Sequence, residues 1–258
     1  MTVSNLDDSI IFLGTAGARF VVTKQLLASG GVWLNFGGVE MLLDPGPGCL
    51  VYSAKKRLDA AHLRAIVLSH KHIDHSGDIN IMIEAMTEGG FKRKGVLFAP
   101  ADAFSEGAVI FPYTLDCPER VEVLKEGGYY TVGDVSFRVP VRHIHPVETY
   151  GFVFRTPRHT IAWITDTKYF EGLPDYYRGE LLVMNVVMLE PREGVDHLAI
   201  PDARKIIEEV KPKVAILTHF GMSIWRSKPW EIAQKLTEDT GIKVVAARDG
   251  MKFDLSQL

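Results

Sequence analysis

Ten residues, Ser69-His70-Lys71-His72-Ile73-Asp74-His75-Ser76-Gly77-Asp78, follow directly on the apolar run Ala65-Ile66-Val67-Leu68. A short apolar run that ends in polar residues reads as a buried strand opening into a loop. The loop then gathers three imidazoles and two carboxylates, which are the nitrogen and oxygen donors that zinc, iron and manganese accept. His70 and His72, two positions apart, point to the same side of an extended chain, and Asp74 and His75 turn back after the chain bends. One loop of this kind can serve two ions.

Composition sets few limits but useful ones. The chain has 258 residues, 47% hydrophobic and 24% charged, enough for one substantial α/β domain spanning residues 1–258. The formal net charge of -3 gives no global attraction to polyanions, and the longest basic cluster, Lys92-Arg93-Lys94, reads as a solvated loop. Two cysteines far apart in sequence, Cys49 and Cys117, indicate neither a disulfide framework nor a CxxC site, which fits a reducing cytosol. The polar stretch Met1 to Asp8 lacks the apolar core of a signal peptide, and no stretch reaches the roughly 18 apolar residues of a membrane span. The expectation is a soluble cytoplasmic protein without a membrane partner.

Strands and turns alternate along the chain. Ser9 to Leu13 reads as a strand that ends in the small-residue loop Gly14-Thr15-Ala16-Gly17-Ala18, and Val32 to Phe36 and Val39 to Leu43 flank Gly37-Gly38 as a hairpin. Asp44-Pro45-Gly46-Pro47-Gly48 closes this group. Neither Gly-rich loop fits a dinucleotide or P-loop pattern. A helix is expected over about Ile79 to Thr87, and an irregular excursion over Ala99 to Pro118. Hairpin strands resume at Tyr129–Val132, Val135–Val139 and Gly151–Arg155, followed by buried strands at Thr160–Ile164, Leu181–Met188 and Val214–Leu217. Amphipathic helices cover Pro201–Glu209 and Pro229–Glu238, and Val244–Ala246 and Met251–Asp254 finish the chain. Strands buried on both faces and followed by covering helices predict a four-layer α-β-β-α sandwich, with the histidine loop at the edge between two sheets.

Three later segments complete a pattern: Arg142-His143-Ile144-His145-Pro146 with Tyr150-Gly151-Phe152, then Ile164-Thr165-Asp166-Thr167, then Leu217-Thr218-His219-Phe220. With the His70–Asp78 loop they resemble the metallo-β-lactamase superfamily, in its ribonuclease Z-like and cyclic-phosphodiesterase branches. The resemblance runs from Ile11 to about Leu255. It implies that His70, His72 and His145 hold one divalent ion, that Asp74, His75 and His219 hold a second, and that Asp166 bridges both. Zinc is the first expectation for the two ions, with manganese or iron as alternatives. His143 competes with His145 for its place, and the spacing to Tyr150-Gly151-Phe152 selects His145.

His197, in Val195-Asp196-His197-Leu198, resembles the histidine that these branches place beside the ions to hold the phosphate and protonate the leaving oxygen. The resemblance thus implies Asp74 and His197 as the catalytic residues, with Asp196 either orienting His197 or capping the next helix. His62 and His159 read as ordinary solvated residues. Transfer-RNA-processing members carry a long arm between the third histidine and the bridging aspartate, whereas here His145 and Asp166 are 21 positions apart and the interval is a hairpin. A small or cyclic phosphodiester is therefore the expected substrate partner. RNA is not favoured but remains an alternative, as do sulfate-ester and lactone hydrolysis and a homodimeric assembly. A non-catalytic scaffold would have lost ligands, and every one is present.

Overall fold

The computed structural model describes residues 8–105 and 107–258, so all of the polar Met1–Asp8 segment except Asp8 lies outside it. The strands are β1 (Ser9–Phe12), β2 (Val32–Phe36), β3 (Val39–Leu43), β4 (Ala65–Val67), β5 (Val96–Pro100), β6 (Arg120–Leu124), β7 (Tyr129–Val132), β8 (Val135–Arg138), β9 (Phe152–Arg155), β10 (Thr160–Ile164), β11 (Leu181–Met188), β12 (Leu198–Ala199), β13 (Val214–Thr218), β14 (Lys243–Ala246) and β15 (Met251–Asp254). The helices are α1 (Arg19–Thr23), α2 (Cys49–Lys55), α3 (Ile73–Ser76), α4 (Ile79–Met86), α5 (Leu173–Tyr176), α6 (Ile200–Val210), α7 (Met222–Arg226) and α8 (Pro229–Thr240).

Two sheets form the centre. One runs β15-β1-β2-β3-β4-β5-β6, and the other runs β14-β13-β11-β10-β9-β8-β7, with β12 attached to β11. The period-2 alternation of β-strand side chains divides each central strand between two cores. On β4, Ala65 and Val67 enter the core between the sheets, while Ile66 faces the layer that holds Met82, Ile83 and Met86 of α4. On β10, Ile161 and Trp163 face the other sheet, while Ala162 and Ile164 face the layer that includes Ile206 and Ile207 of α6 and Leu236 of α8. Because both faces are buried, these strands read as continuous apolar runs. The result is the α-β-β-α sandwich that the sequence predicts.

Each sheet is antiparallel on one side and parallel on the other: β3 to β6 run parallel, as do β10, β11, β13 and β14. The carboxyl ends of β4, β10 and β13 reach the same edge, the position where open α/β sheets bind ligands. The excursion expected over Ala99 to Pro118 starts two residues later, at Ala101, because Ala99 and Pro100 belong to β5, and two 3-10 turns then follow at Ala101–Ala103 and Pro112–Thr114. Strands β5, β6 and β12 and the short helices α1, α2, α3, α5 and α7 add to the elements read from sequence. Among the described residues no helix is long and apolar enough to cross a membrane.

Candidate metal centre

Four chain segments converge on the shared sheet edge. The first leaves β4 at Leu68, carries His70 and His72 in extended backbone, and turns into α3 with Asp74 and His75 in its single turn. The second, between β8 and β9, brings His145, the third brings Asp166 with only Thr165 between it and β10, and the fourth brings His219 directly after β13. His219 has φ of 62°, a left-handed backbone that re-aims its ring out of the strand direction. The Gly14–Ala18 loop supports that turn: Gly17 donates its N–H to Phe220 O at 3.0 Å, and Phe220 donates to Thr15 O at 2.8 Å. A Cβ on Gly17 would stand 2.2 Å from His219 O, so only glycine admits this approach.

The ligand-type atoms of His70, His72 and His145 lie within 4.8 Å of one another, as do those of Asp74, His75 and His219. Asp166 joins the two groups. Its Oδ2 lies 3.8 Å from His70 Nε2 and 3.4 Å from His75 Nε2, and its Oδ1 lies 3.4 Å from His219 Nδ1. On the other group, Asp74 Oδ2 lies 3.5 Å from His219 Nε2 and 3.9 Å from His75 Nε2. His145 Nε2 and His72 Nδ1 face each other at 3.0 Å. His197 enters the same cluster, with Nδ1 3.5 Å from Asp166 Oδ2. His70, His75, Asp166 and His219 form a buried floor, and His72, Asp74, His145 and His197 are partly exposed around the mouth. His62 and His159 stand outside: His62 faces Asp59, and His159 faces Glu180.

The surroundings fix which ring nitrogens face inward. His75 Nδ1 is 2.9 Å from Asp44 Oδ2, His145 Nδ1 is 3.0 Å from Asp196 O, and His70 Nδ1 is 2.9 Å from Ser69 Oγ. Such outer partners orient metal-ligating histidines and leave the opposite nitrogen as a lone pair. Within this cluster five buried ring nitrogens then have no hydrogen-bond partner: His70 Nε2, His75 Nε2, His197 Nδ1, and both Nδ1 and Nε2 of His219. An unsatisfied buried polar group costs about 1–3 kcal/mol, so five converging on one spot call for a cation. A nitrogen-and-oxygen donor set of this kind fits a divalent transition ion. The residues present therefore fit the group that the sequence implies.

Charge follows the same plan. Burial, reinforced by the neighbouring His75, holds the His70 imidazole well below the ordinary histidine range, and burial also lowers His72, His145 and His197. Burial alone would raise Asp166, yet His219, His197 and His75 hold its carboxyl well below the carboxylate range, and His75 and His219 do the same for Asp74. His75 is the exception, because Asp166, Asp44 and Asp74 outweigh its burial and raise it. Neutral imidazoles and ionised carboxylates are the forms that coordinate an ion.

The choice between His143 and His145 has a geometric counterpart. His143 points away from the cluster, with Nδ1 3.1 Å from Asp166 O and Nε2 2.5 Å from Tyr177 Oη, while His145 joins it. Asp196 reaches the cluster through its backbone carbonyl on His145. Two contributors escape a sequence reading. Asp44 closes a buried strand as Asp166 does, but it sits in a Pro-Gly turn that disguises it. Asn185 lies within the apolar run of β11 and donates Nδ2–H to Asp166 Oδ1 at 2.8 Å.

Comparison with known proteins adds the family. A family model described as a beta-lactamase superfamily domain matches residues 40–220, which covers all of the converging segments. An uncharacterized protein of Methanocaldococcus jannaschii is 30% identical over 255 residues, covering 95% of this chain and 94% of that one. A ribonuclease Z of Kineococcus radiotolerans is 30% identical over 118 residues, 46% of this chain and 36% of its own. Among solved structures, the metallo-beta-lactamase fold protein YhfI of Bacillus subtilis superposes with a TM-score of 0.79 at 19% identity, covering 96% of this chain and 99% of that one. The convergence of these donors at the edge of an α-β-β-α sandwich, together with the family match, establishes that the chain belongs to the metallo-β-lactamase superfamily.

Proposed function

We propose that this protein is a dinuclear metal-dependent phosphodiesterase that hydrolyses a small or cyclic phosphodiester. The observation that carries this reading is the placement of Asp166 between two donor groups, with His197 beside it at the mouth. In this reading His70, His72 and His145 hold one ion, Asp74, His75 and His219 hold the other, and Asp166 is common to both. Zinc is the first choice for both positions, with manganese or iron as alternatives. When bound, such a pair supplies Lewis acidity to the phosphoryl oxygens and brings a water's pKa towards neutrality.

The chain's own residues divide the remaining work. Asp74, on the second group and partly exposed, orients the attacking water from the mouth. His197 holds a phosphate oxygen and delivers a proton to the departing oxygen, the task of a positioned imidazole in general acid catalysis. Asp196 turns its backbone carbonyl to His145 and so couples the His197 segment to the first donor group. The short interval between His145 and Asp166, occupied by β9 and β10, supports a small substrate rather than a folded RNA. The unpaired cysteines Cys49 and Cys117 accord with a cytosolic setting.

The test is a hydrolysis screen of zinc-, manganese- and iron-loaded protein against bis-p-nitrophenyl phosphate, cyclic nucleotides, aryl sulfates, lactones and a precursor tRNA. The expected result is hydrolysis of the small phosphodiesters with little or no defined cleavage of the tRNA. Efficient removal of a tRNA 3′ trailer at a single site would replace this reading with the endoribonuclease. Turnover confined to sulfates or lactones would remove the phosphodiesterase reading and keep the metal centre.

A further inference from the structure

Asp166 is held from two directions by residues that belong to neither donor group. Asn185, 5% exposed on β11, donates Nδ2–H to its Oδ1 at 2.8 Å. A polar side chain inside the run Leu181-Leu182-Val183-Met184-Asn185-Val186-Val187-Met188 is costly to bury without a partner. Its side-chain amide meets Asp166 because β10 and β11 run parallel, with Ile164 opposite Met184.

The second contact reaches the backbone of the same residue. A carbonyl can only accept, so His143 Nδ1, 3.1 Å from Asp166 O, carries the proton, and His143 Nε2 is a lone pair. Tyr177 Oη, 2.5 Å away, is then the donor to that lone pair. Thr165 Oγ1 donates to Tyr150 O at 2.7 Å, so it meets His143 Nδ1, at 3.3 Å, as a second acceptor. Every proton in this chain of bonds has a single direction. The packing around it is closed: a Cβ on Gly151 would stand 2.4 Å from Tyr177 Oη, 2.6 Å from Trp163 O and 2.8 Å from His143 Cε1. Two further bonds, Ile144 N to Thr167 Oγ1 at 3.2 Å and Lys168 N to Ile144 O at 2.9 Å, lace the His145 loop to the Asp166 loop.

From this geometry we infer that Asn185 and the Tyr177–His143 pair are positioning residues for Asp166, fixing which of its oxygens faces which of the histidines that would hold the ions. The inference rests on the reading of Asp166 as the common ligand. With Oδ1 engaged by Asn185, Oδ2 is the oxygen presented to His70, His75 and His197. The terminal torsion of an aspartate is broad and two-fold, so without Asn185 nothing on β11 prevents the carboxylate from rotating. His143 and Tyr177 hold the backbone from which that side chain projects.

The test uses two variants that keep the branching of the side chain or its ring and delete one donor each, Asn185→Leu and Tyr177→Phe. Zinc affinity is measured by chelator competition, beside the melting temperature of the metal-free protein. The expected result is two ions per chain in the wild type, with affinity weakened about 10–100-fold in Asn185→Leu, the usual effect of losing an outer partner of a metal ligand. Tyr177→Phe shifts affinity in the same direction, and in both variants the metal-free protein still melts cooperatively. Wild-type zinc affinity in both Asn185→Leu and Tyr177→Phe overturns the inference and leaves the metal centre standing. Should Asn185→Leu fail to fold, Tyr177→Phe decides alone. A wild-type protein that binds no zinc removes the metal centre and the positioning role together.

Discussion

His75 Nδ1 lies 2.9 Å from Asp44 Oδ2, and the same carboxylate accepts from Ser69 N at 2.6 Å and Ser69 Oγ at 2.7 Å. One aspartate therefore ties the start of the histidine loop to the ring at its far end. The carboxylate accepts the Nδ1 proton of His75, which leaves Nε2 as the nitrogen that faces Asp74 and Asp166. Asp44 has φ of 52°, a conformation that asparagine also tolerates, so Asp44→Asn keeps the backbone while removing one acceptor oxygen. The expected outcome is a folded protein whose affinity for the ion at Asp74, His75 and His219 falls about 10–100-fold, read by chelator competition. Unaltered affinity for both ions would assign Asp44 a purely architectural role.

Asp166→Ala removes the residue proposed to be common to both donor groups. Both ions should be lost or bound much more weakly, and hydrolysis should disappear, as shown by metal analysis of the purified variant beside its activity. An active variant holding two ions would contradict the shared position.

His197 is not among the proposed ligands, so His197→Ala should retain both ions and lose turnover by a factor on the order of 10²–10⁴. The loss should shrink on a nitrophenyl ester, whose leaving group departs without a proton, and persist on a ribose alkoxide, which needs one. Comparing kcat on the two substrates checks this. An equal loss on both would leave His197 a binding contact.

Much of this was legible in the sequence because the chemistry sits where buried strands open into loops. Asp166 lies two positions past the end of β10 and His219 one past the end of β13, so the end of an apolar run locates them. Most central strands were legible for the same reason, since burial on both faces makes them uniformly apolar, but β5 was not, because its Ala99-Pro100 end merges with the Pro-containing segment that follows. Asn185 was not, because its importance depends on the parallel register that sets β11 beside β10, which leaves no local mark. Strand β6 was hidden by its edge position, where Arg120 and Val123 are exposed and the pattern of a buried strand is absent. Helix α2 follows the turn sequence Pro45-Gly46-Pro47-Gly48, and α1 has only five residues, too few for a helical period to show.

The two cysteines give a pH test independent of the metal centre. Cys49 is fully buried on α2, and desolvation raises its thiol far above the ordinary value of 9.0, so it remains protonated where an exposed thiol becomes reactive. Titration of the native protein with a thiol reagent between pH 7 and 10 should modify Cys117, which is partly exposed, and spare Cys49 until the protein unfolds. The unfolded chain ionises Cys49 first as pH rises, so its contribution to stability is present below pH 9.0 and declines above it. Two rapidly reacting thiols in the folded protein would contradict this burial.

The most direct measurement is a titration of metal-free protein with zinc while hydrolysis of bis-p-nitrophenyl phosphate is followed. The dinuclear reading predicts that the rate rises with added ion and reaches its plateau at two equivalents per chain. A plateau at one equivalent, or no hydrolysis at any loading, would contradict it.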